Sequence, residues 1–194
     1  MESQSVKRAA LVWTMVLAFL IVGNAQTQEL VAPAGGDIVA IPRPVANAAL
    51  VVEAPVIDGH LDEELWQYAP PLTGFVQADP QEGAPASEET EVRLLYDDAA
   101  IYIGVWLHDS DTSQIVITDT SRDAGLGNQD SFQIIFDTFQ DQQNGFSFGT
   151  NASGIQYDGQ VRNQGNPSSN WDGSWDVMCQ LGEGMWTAEF RIPL

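Results

Sequence analysis

Period-two patterning on both sides of a short acidic turn constrains this chain more than any other feature. In Glu91 to Tyr96, Val92, Leu94 and Tyr96 fall on one face while Glu91, Arg93 and Leu95 fall on the other. Asp97 and Asp98 supply turn chemistry, and Ala100 to His108 returns with Ile101, Ile103, Val105 and Leu107 on one side. Such a segment predicts a β-hairpin with one face in a core.

The same period recurs further along. Phe132, Ile134 and Phe136 alternate, as do Phe146 and Phe148, and Trp175 to Leu181 pairs with Met185 to Ile192 across a Gly-Glu-Gly turn. Many short strands separated by turn signals predict an all-β fold, an antiparallel β-sandwich of immunoglobulin or jelly-roll type. One short helix is expected ahead of it. Leu61, Leu65 and Trp66 share a helical face, Asp58 or His60 caps the start, and Pro70 and Pro71 end it.

Ahead of these elements, Lys7 and Arg8 precede the uncharged apolar run Ala9 to Val22, with Gly23 and Ala25 following. That layout is a secretory signal, and the run is short of the roughly 20 residues of a membrane span. Residues 1–25 are therefore expected to be removed and the protein exported, to the periplasm, the outer membrane or the medium. Residues 26–49 mix Ala, Pro and Gly without periodicity and read as a flexible tether, leaving 50–194 as the ordered domain.

Cleavage would remove Glu2, Lys7 and Arg8, leaving five basic and 26 acidic side chains and no lysine. Such a surface repels phosphate backbones, which excludes nucleic acid as a partner. Crowded carboxylates also suit hard cations such as calcium. A single cysteine, Cys179, cannot form an intrachain disulfide and reads as a small buried hydrophobe.

Five segments in order carry a resemblance to the carbohydrate-binding modules of family nine. They are PVIDGHLDEELWQYA (Pro55 to Ala69), TEVRLLYDDAAIYIGVWLHDSD (Thr90 to Asp111), QDSFQIIFDTFQD (Gln129 to Asp141), GFSFGTNASG (Gly145 to Gly154) and GMWTAEFRIPL (Gly184 to Leu194). The resemblance implies a β-sandwich that binds a polysaccharide or oligosaccharide. It also implies an association with a linked glycoside hydrolase or, in secreted relatives, with a C-terminal outer-membrane barrel. An alternative stays open, in which the same sandwich is a structural or interaction domain without a sugar ligand.

Catalysis within the domain is not expected. The chain has no HExxH, GxSxG, CxxC or Walker loop, and Gly125-Leu126-Gly127 lacks the third glycine of a dinucleotide site. The many carboxylates alone do not place two acids across one cleft, as a glycoside hydrolase needs. The resemblance further implies structural calcium, with Asp109, Asp111, Asp137 and Asp141 as candidate ligands. The other reading of these four is that they cap turns and face water.

For sugar, aromatic faces and planar polar groups are needed together. Only the loop QGNPSSNWDGSW combines them outside a strand, so Trp171, Trp175, Asn170 and Asp172 are the candidate contacts. The two rings could equally cover the open end of the sandwich. The resemblance places the sugar contacts of well-defined members, a tryptophan, a glutamate and an arginine, at Gly127, Gln133 and Gly149. None of the three is kept.

Overall fold

A computed structural model of the chain describes residues 12–17, as backbone, and 45–194. The expected signal segment and most of the tether lie outside the described residues, apart from Val12–Leu17.

Two sheets form. One runs in the order β1 (Val12–Leu17), β5 (Ser131–Phe136), β6 (Gly145–Asn151), β7 (Tyr157–Val161). The other runs β2 (Ala49–Leu50), β3 (Thr90–Tyr96), β4 (Ala100–His108), β9 (Met185–Pro193), β8 (Asp176–Gly182). The expected hairpin is present, with Val92 opposite Val105 and Leu94 opposite Ile103. All pairs are antiparallel except β1 with β5 and β2 with β3, which are parallel. The all-β sandwich reading therefore holds, with parallel additions at one edge of each sheet.

The core lies between the sheets. Val92, Leu94, Ile103 and Val105 from one sheet meet Phe132, Ile134, Phe136 and Phe148 from the other, and Phe190 of β9 contacts the Phe132 ring edge to face at 5.8 Å. Alternation alone places these side chains on one surface, and removing them from water drives the stacking.

A second apolar layer covers the opposite face of the β3-β4-β9 sheet. Leu95, on the polar side of its strand by pattern, is fully buried there with Tyr102, Trp66 and Ala69. The covering segment is Pro55 to Ala69. Its helical part is a 3-10 helix, Glu64–Tyr68, preceded by Glu63, which makes no side-chain cap. Asp58 caps no helix; its Oδ1 accepts the His60 N–H in a tight turn. Leu61, Leu65 and Trp66 do share the buried side, as their spacing predicts.

Two groups hold this segment down. Arg93 donates to the carbonyls of Trp66 (3.2 Å) and Ala69 (3.5 Å), pairs with Glu91, and lies 5.6 Å from the Trp106 ring centroid. Glu189, wholly buried on β9, accepts the N–H groups of Asp58 (2.9 Å) and Gly59 (2.7 Å) on Oε2, while its Oε1 is buried without a hydrogen-bond partner. Gly59 has φ +88°, and a Cβ there would stand 2.9 Å from the Cys179 carbonyl carbon. Only glycine fits that turn. Gly104, directly opposite Glu189, leaves the space that Leu61 and Trp66 fill.

Burial pushes the Glu189 carboxyl up to about 7, and the nearby negative charges of Glu63 and Asp58 add to the rise against the two N–H bonds. The folded state thus holds a proton that the unfolded chain releases near its ordinary 4.5. The resulting stability is present at acid pH and is lost as pH rises through about 7. Between pH 8 and pH 5 this group is expected to contribute on the order of 2 to 3 kcal/mol. Glu189→Gln keeps an oxygen for both N–H groups but cannot ionise, so urea unfolding of the variant should lack that contribution. Identical pH dependence in the two proteins would remove the buried charge as its source.

Candidate functional site

The loop between β7 and β8, residues 162–175, is fixed by a carboxylate that local sequence does not reveal. Asp158 is fully buried on β7, on the core side of its sheet, opposite Phe148. Its Oδ1 accepts from Trp175 Nε1 (3.1 Å) and Arg122 Nη2 (2.8 Å), and its Oδ2 accepts from the Gly173 backbone N–H (2.6 Å). Arg122 also donates to Asp172, to Gln156 and to the Gly173 carbonyl. A buried charge is tolerable when its lone pairs are filled this way.

This network separates the two candidate rings. Trp175 is only 4 % exposed; it stacks on Phe190 with centroids 5.8 Å apart and planes 5° from parallel, and meets Phe148 edge-on. It therefore offers no face to a ligand and takes the covering role that the sequence left open for both rings. Trp171 is half-buried, 4.6 Å from the Phe146 ring and 5.8 Å from Phe148. Asn170 and Asp172 are exposed on either side of it, Asp172 being tied to Arg122. Of the four predicted contacts, then, Trp171, Asn170 and Asp172 stand together at the surface.

Sequence reasoning missed the aromatic surroundings of Trp171. Phe146 contacts Trp171 and also Phe139, whose ring centroid is 6.4 Å from that of Phe146. Phe139 is 59 % exposed in the loop after β5. The signal was available in the run TFQDQQN, where one aromatic residue sits among amides and an acid.

The predicted calcium ligands do not converge. Asp109 Oδ1 accepts the Asp111 N–H, and Asp111 Oδ1 accepts from Ser113, in the loop after β4. Asp137 accepts the N–H groups of Asp141 and Gln142, while Asp141 accepts from Gln143 and Asn144 in the loop after β5. Among the described residues no three His, Cys, Asp or Glu side chains form a metal-binding group. The four carboxylates thus act as turn caps in two separate loops.

Of the three positions at which the resemblance places sugar contacts, two adjoin each other in the fold. Gln133 and Gly149 are direct register partners on the outer face of the β5-β6 sheet. A Cβ on Gly149 would meet Leu126 Cδ1 at 2.6 Å, and Gln133 Nε2 bonds Ser147 Oγ at 2.7 Å. Leu126 fills the space in which a longer side chain would stand. Cys179 is no nucleophile: burial, with the Glu189 charge adding, pushes its thiol up to about 12.

Residues 57–194 match the family described as carbohydrate family 9 binding domain-like. Two solved structures of a family 9 carbohydrate-binding module from Caldicellulosiruptor kristjanssonii, one in complex with glucose and one with cellotriose, have similar folds. The first aligns with a TM-score of 0.53 at 16% identity, covering 76% of this chain and 67% of that one; the second gives 0.52 and 16%, covering 76% and 68%. Comparison with curated protein sequences gives no significant match.

The network predicts unequal outcomes for the two tryptophans. Trp175→Ala should lower unfolding free energy by about 3 to 5 kcal/mol, as deletion of a large core ring does. Trp171→Ala, half-exposed, should lose clearly less. Denaturant midpoints for both variants test this, and equal losses would mean that both rings are structural.

Proposed function

The chain belongs to the carbohydrate family 9 binding domain-like family, and from that premise we propose that it is a non-catalytic module that holds a polysaccharide or oligosaccharide. We take it to work outside the cytoplasm, beside a linked hydrolase or an outer-membrane barrel. The observation that carries the ligand reading is the surface grouping of Trp171, Asn170 and Asp172, held in place by the Arg122-Asp158 network. A half-exposed indole can stack on the apolar face of a sugar ring, and the flanking amide and carboxylate can bond its hydroxyls. The sugar complexes of the structural neighbours support this class of ligand. The apolar run behind Lys7 and Arg8 supports export, and the exported protein is expected to begin just after Ala25.

A glycan array probed with the chain tests the ligand reading. At least one glycan should bind, and Trp171→Ala should weaken it by about 1 to 3 kcal/mol while the protein stays folded. A second reading has its own observation. The positions Gly127, Gln133 and Gly149 lack the ring and charges of sugar-binding relatives, and Leu126 fills the space over Gly149. On that reading the sandwich is a structural or interaction domain, and no glycan on the array binds.

A further inference from the structure

We propose that the edge of β5 facing away from β6 is a strand-accepting site, and that in the exported protein residues 38–41 of the same chain pair there in place of Val12–Leu17. The proposal rests on the export reading above, since loss of residues 1–25 removes β1. It is independent of the carbohydrate reading.

The edge is one that the fold cannot leave open. Strand β1 runs parallel to β5 along its whole length, from Val12 opposite Ser131 to Leu17 opposite Phe136. Without β1 the first sheet keeps only β5, β6 and β7, against β2, β3, β4, β9 and β8 in the second. Ring contacts show where the shortfall lies. Phe132 of β5 meets Phe190 of β9, and Phe148 of β6 meets Trp175, the residue before β8. Strand β5 thus lies over β9, and β4 and β3, the next strands out in the facing sheet, extend past its free edge. Their core sides carry Val92, Ile103 and Val105, each 0 % exposed, and Leu94 at 2 %. Loss of a strand there would open these side chains to water and leave a row of β5 backbone groups unpaired. A row of that kind takes up an extended segment by backbone pairing.

The chemistry of the edge selects its occupant. β5 reads SFQIIF and is bracketed by Asp130 and Asp137, in a chain of net charge −20. A second copy pairing antiparallel through β5 would bring Asp130 toward the other copy's Asp137 at both ends, and facing like charges destabilise such a pair. An uncharged apolar strand, as VWTMVL is, meets no such repulsion. Between Ala25 and Val45 the chain holds one uncharged run rich in β-branched residues, Ile38, Val39, Ala40 and Ile41, bounded by Gly35 and Gly36 before Asp37 and by Pro42 after.

That run lies within reach. Ala46 and Ala48 pack against the core between the sheets, and Ala49 and Leu50 then pair parallel to β3 at Leu95 and Tyr96. The chain therefore enters the domain at the seam beside the β3 edge. Ile41 stands five positions before Ala46, a span of about 16 Å when extended. Facing sheets are about 10 Å apart, so the crossing to the β5 side is covered.

The test uses the exported protein recovered after expression of the full chain, its mass first establishing that residues 1–25 are gone. Nuclear Overhauser contacts should join the backbone of residues 38–41 to that of 131–136. The β5 amides that do not bond β6 should exchange with solvent at least about a hundredfold more slowly than in an unstructured chain. Val39→Pro removes a ladder donor and should speed their exchange about tenfold or more, whereas Val31→Pro in the same stretch should leave it unchanged. A synthetic peptide of the Val12–Leu17 sequence between lysine pairs should restore protection to the Val39→Pro protein, and a scrambled peptide should not. Should Val39→Pro fail to fold, the contacts in the unsubstituted protein still decide. Absence of those contacts with fast-exchanging edge amides, protection unchanged by Val39→Pro, or protection that appears only with a concentration-dependent dimer would each overturn the proposal. A recovered mass that includes residues 1–25 would overturn the export reading and the exchange of strands with it.

Discussion

A buried carboxylate with two backbone N–H groups on one oxygen joins the two ends of this domain. Glu189 sits on β9, and the Asp58-Gly59 turn it holds lies about 130 residues earlier in the chain. Without that attachment the outer face of the β3-β4-β9 sheet would leave Leu95, Tyr102 and Trp66 open to water. Gly59 and Gly104 are the space made for it: one lets the turn lie against Cys179, the other lets Leu61 and Trp66 settle beside the carboxylate. The opening PVIDGHLDEELW motif and the closing AEFRIP motif are thus two halves of one contact.

Strand β9 carries the constraint through to the surface site. Its residues alternate, so Glu189 faces the covering segment while Phe190 faces the core. Phe190 stacks on Trp175, Trp175 donates to Asp158, and Asp158 receives the Gly173 N–H and Arg122. The loop bearing Trp171 is consequently anchored at one end by core packing and at the other by its bonds to the loop after β5. A ligand site held this way needs little further ordering on binding, which favours affinity.

Much of this architecture was legible from residues alone. The β3-β4 and β8-β9 hairpins follow from alternation and turn chemistry, and Leu61, Leu65 and Trp66 declared their common face. Strand β7 was not legible, because YDGQV places a carboxylate and a glutamine where the inward side chains go, and its purpose is met only by partners far away in sequence. The same blindness applied to the rings. Trp171 and Trp175 are alike in local sequence, and only Asp158 and Phe190 decide which one is buried. For the carboxylates, local sequence supplied chemistry without placement: Asp109 and Asp111 cap turns in one loop, Asp137 and Asp141 in another.

Gln133 and Gly149 mark a second place, on the outer face of the β5-β6 sheet. There the two stand in register with Leu126 over the glycine. The aromatic and amide grouping around Trp171 lies at the core-side opening of the same sheet. A nitrogen-correlated NMR titration of the chain with cellohexaose distinguishes the two places directly. The account predicts that the Trp171 indole N–H and the side-chain amides of loops 138–144 and 162–170 shift with sugar, while the Trp175 indole N–H, bonded to Asp158, stays in place. Shifts confined to Gln133 and its neighbours on the outer face, or no shift in any resonance, would contradict it.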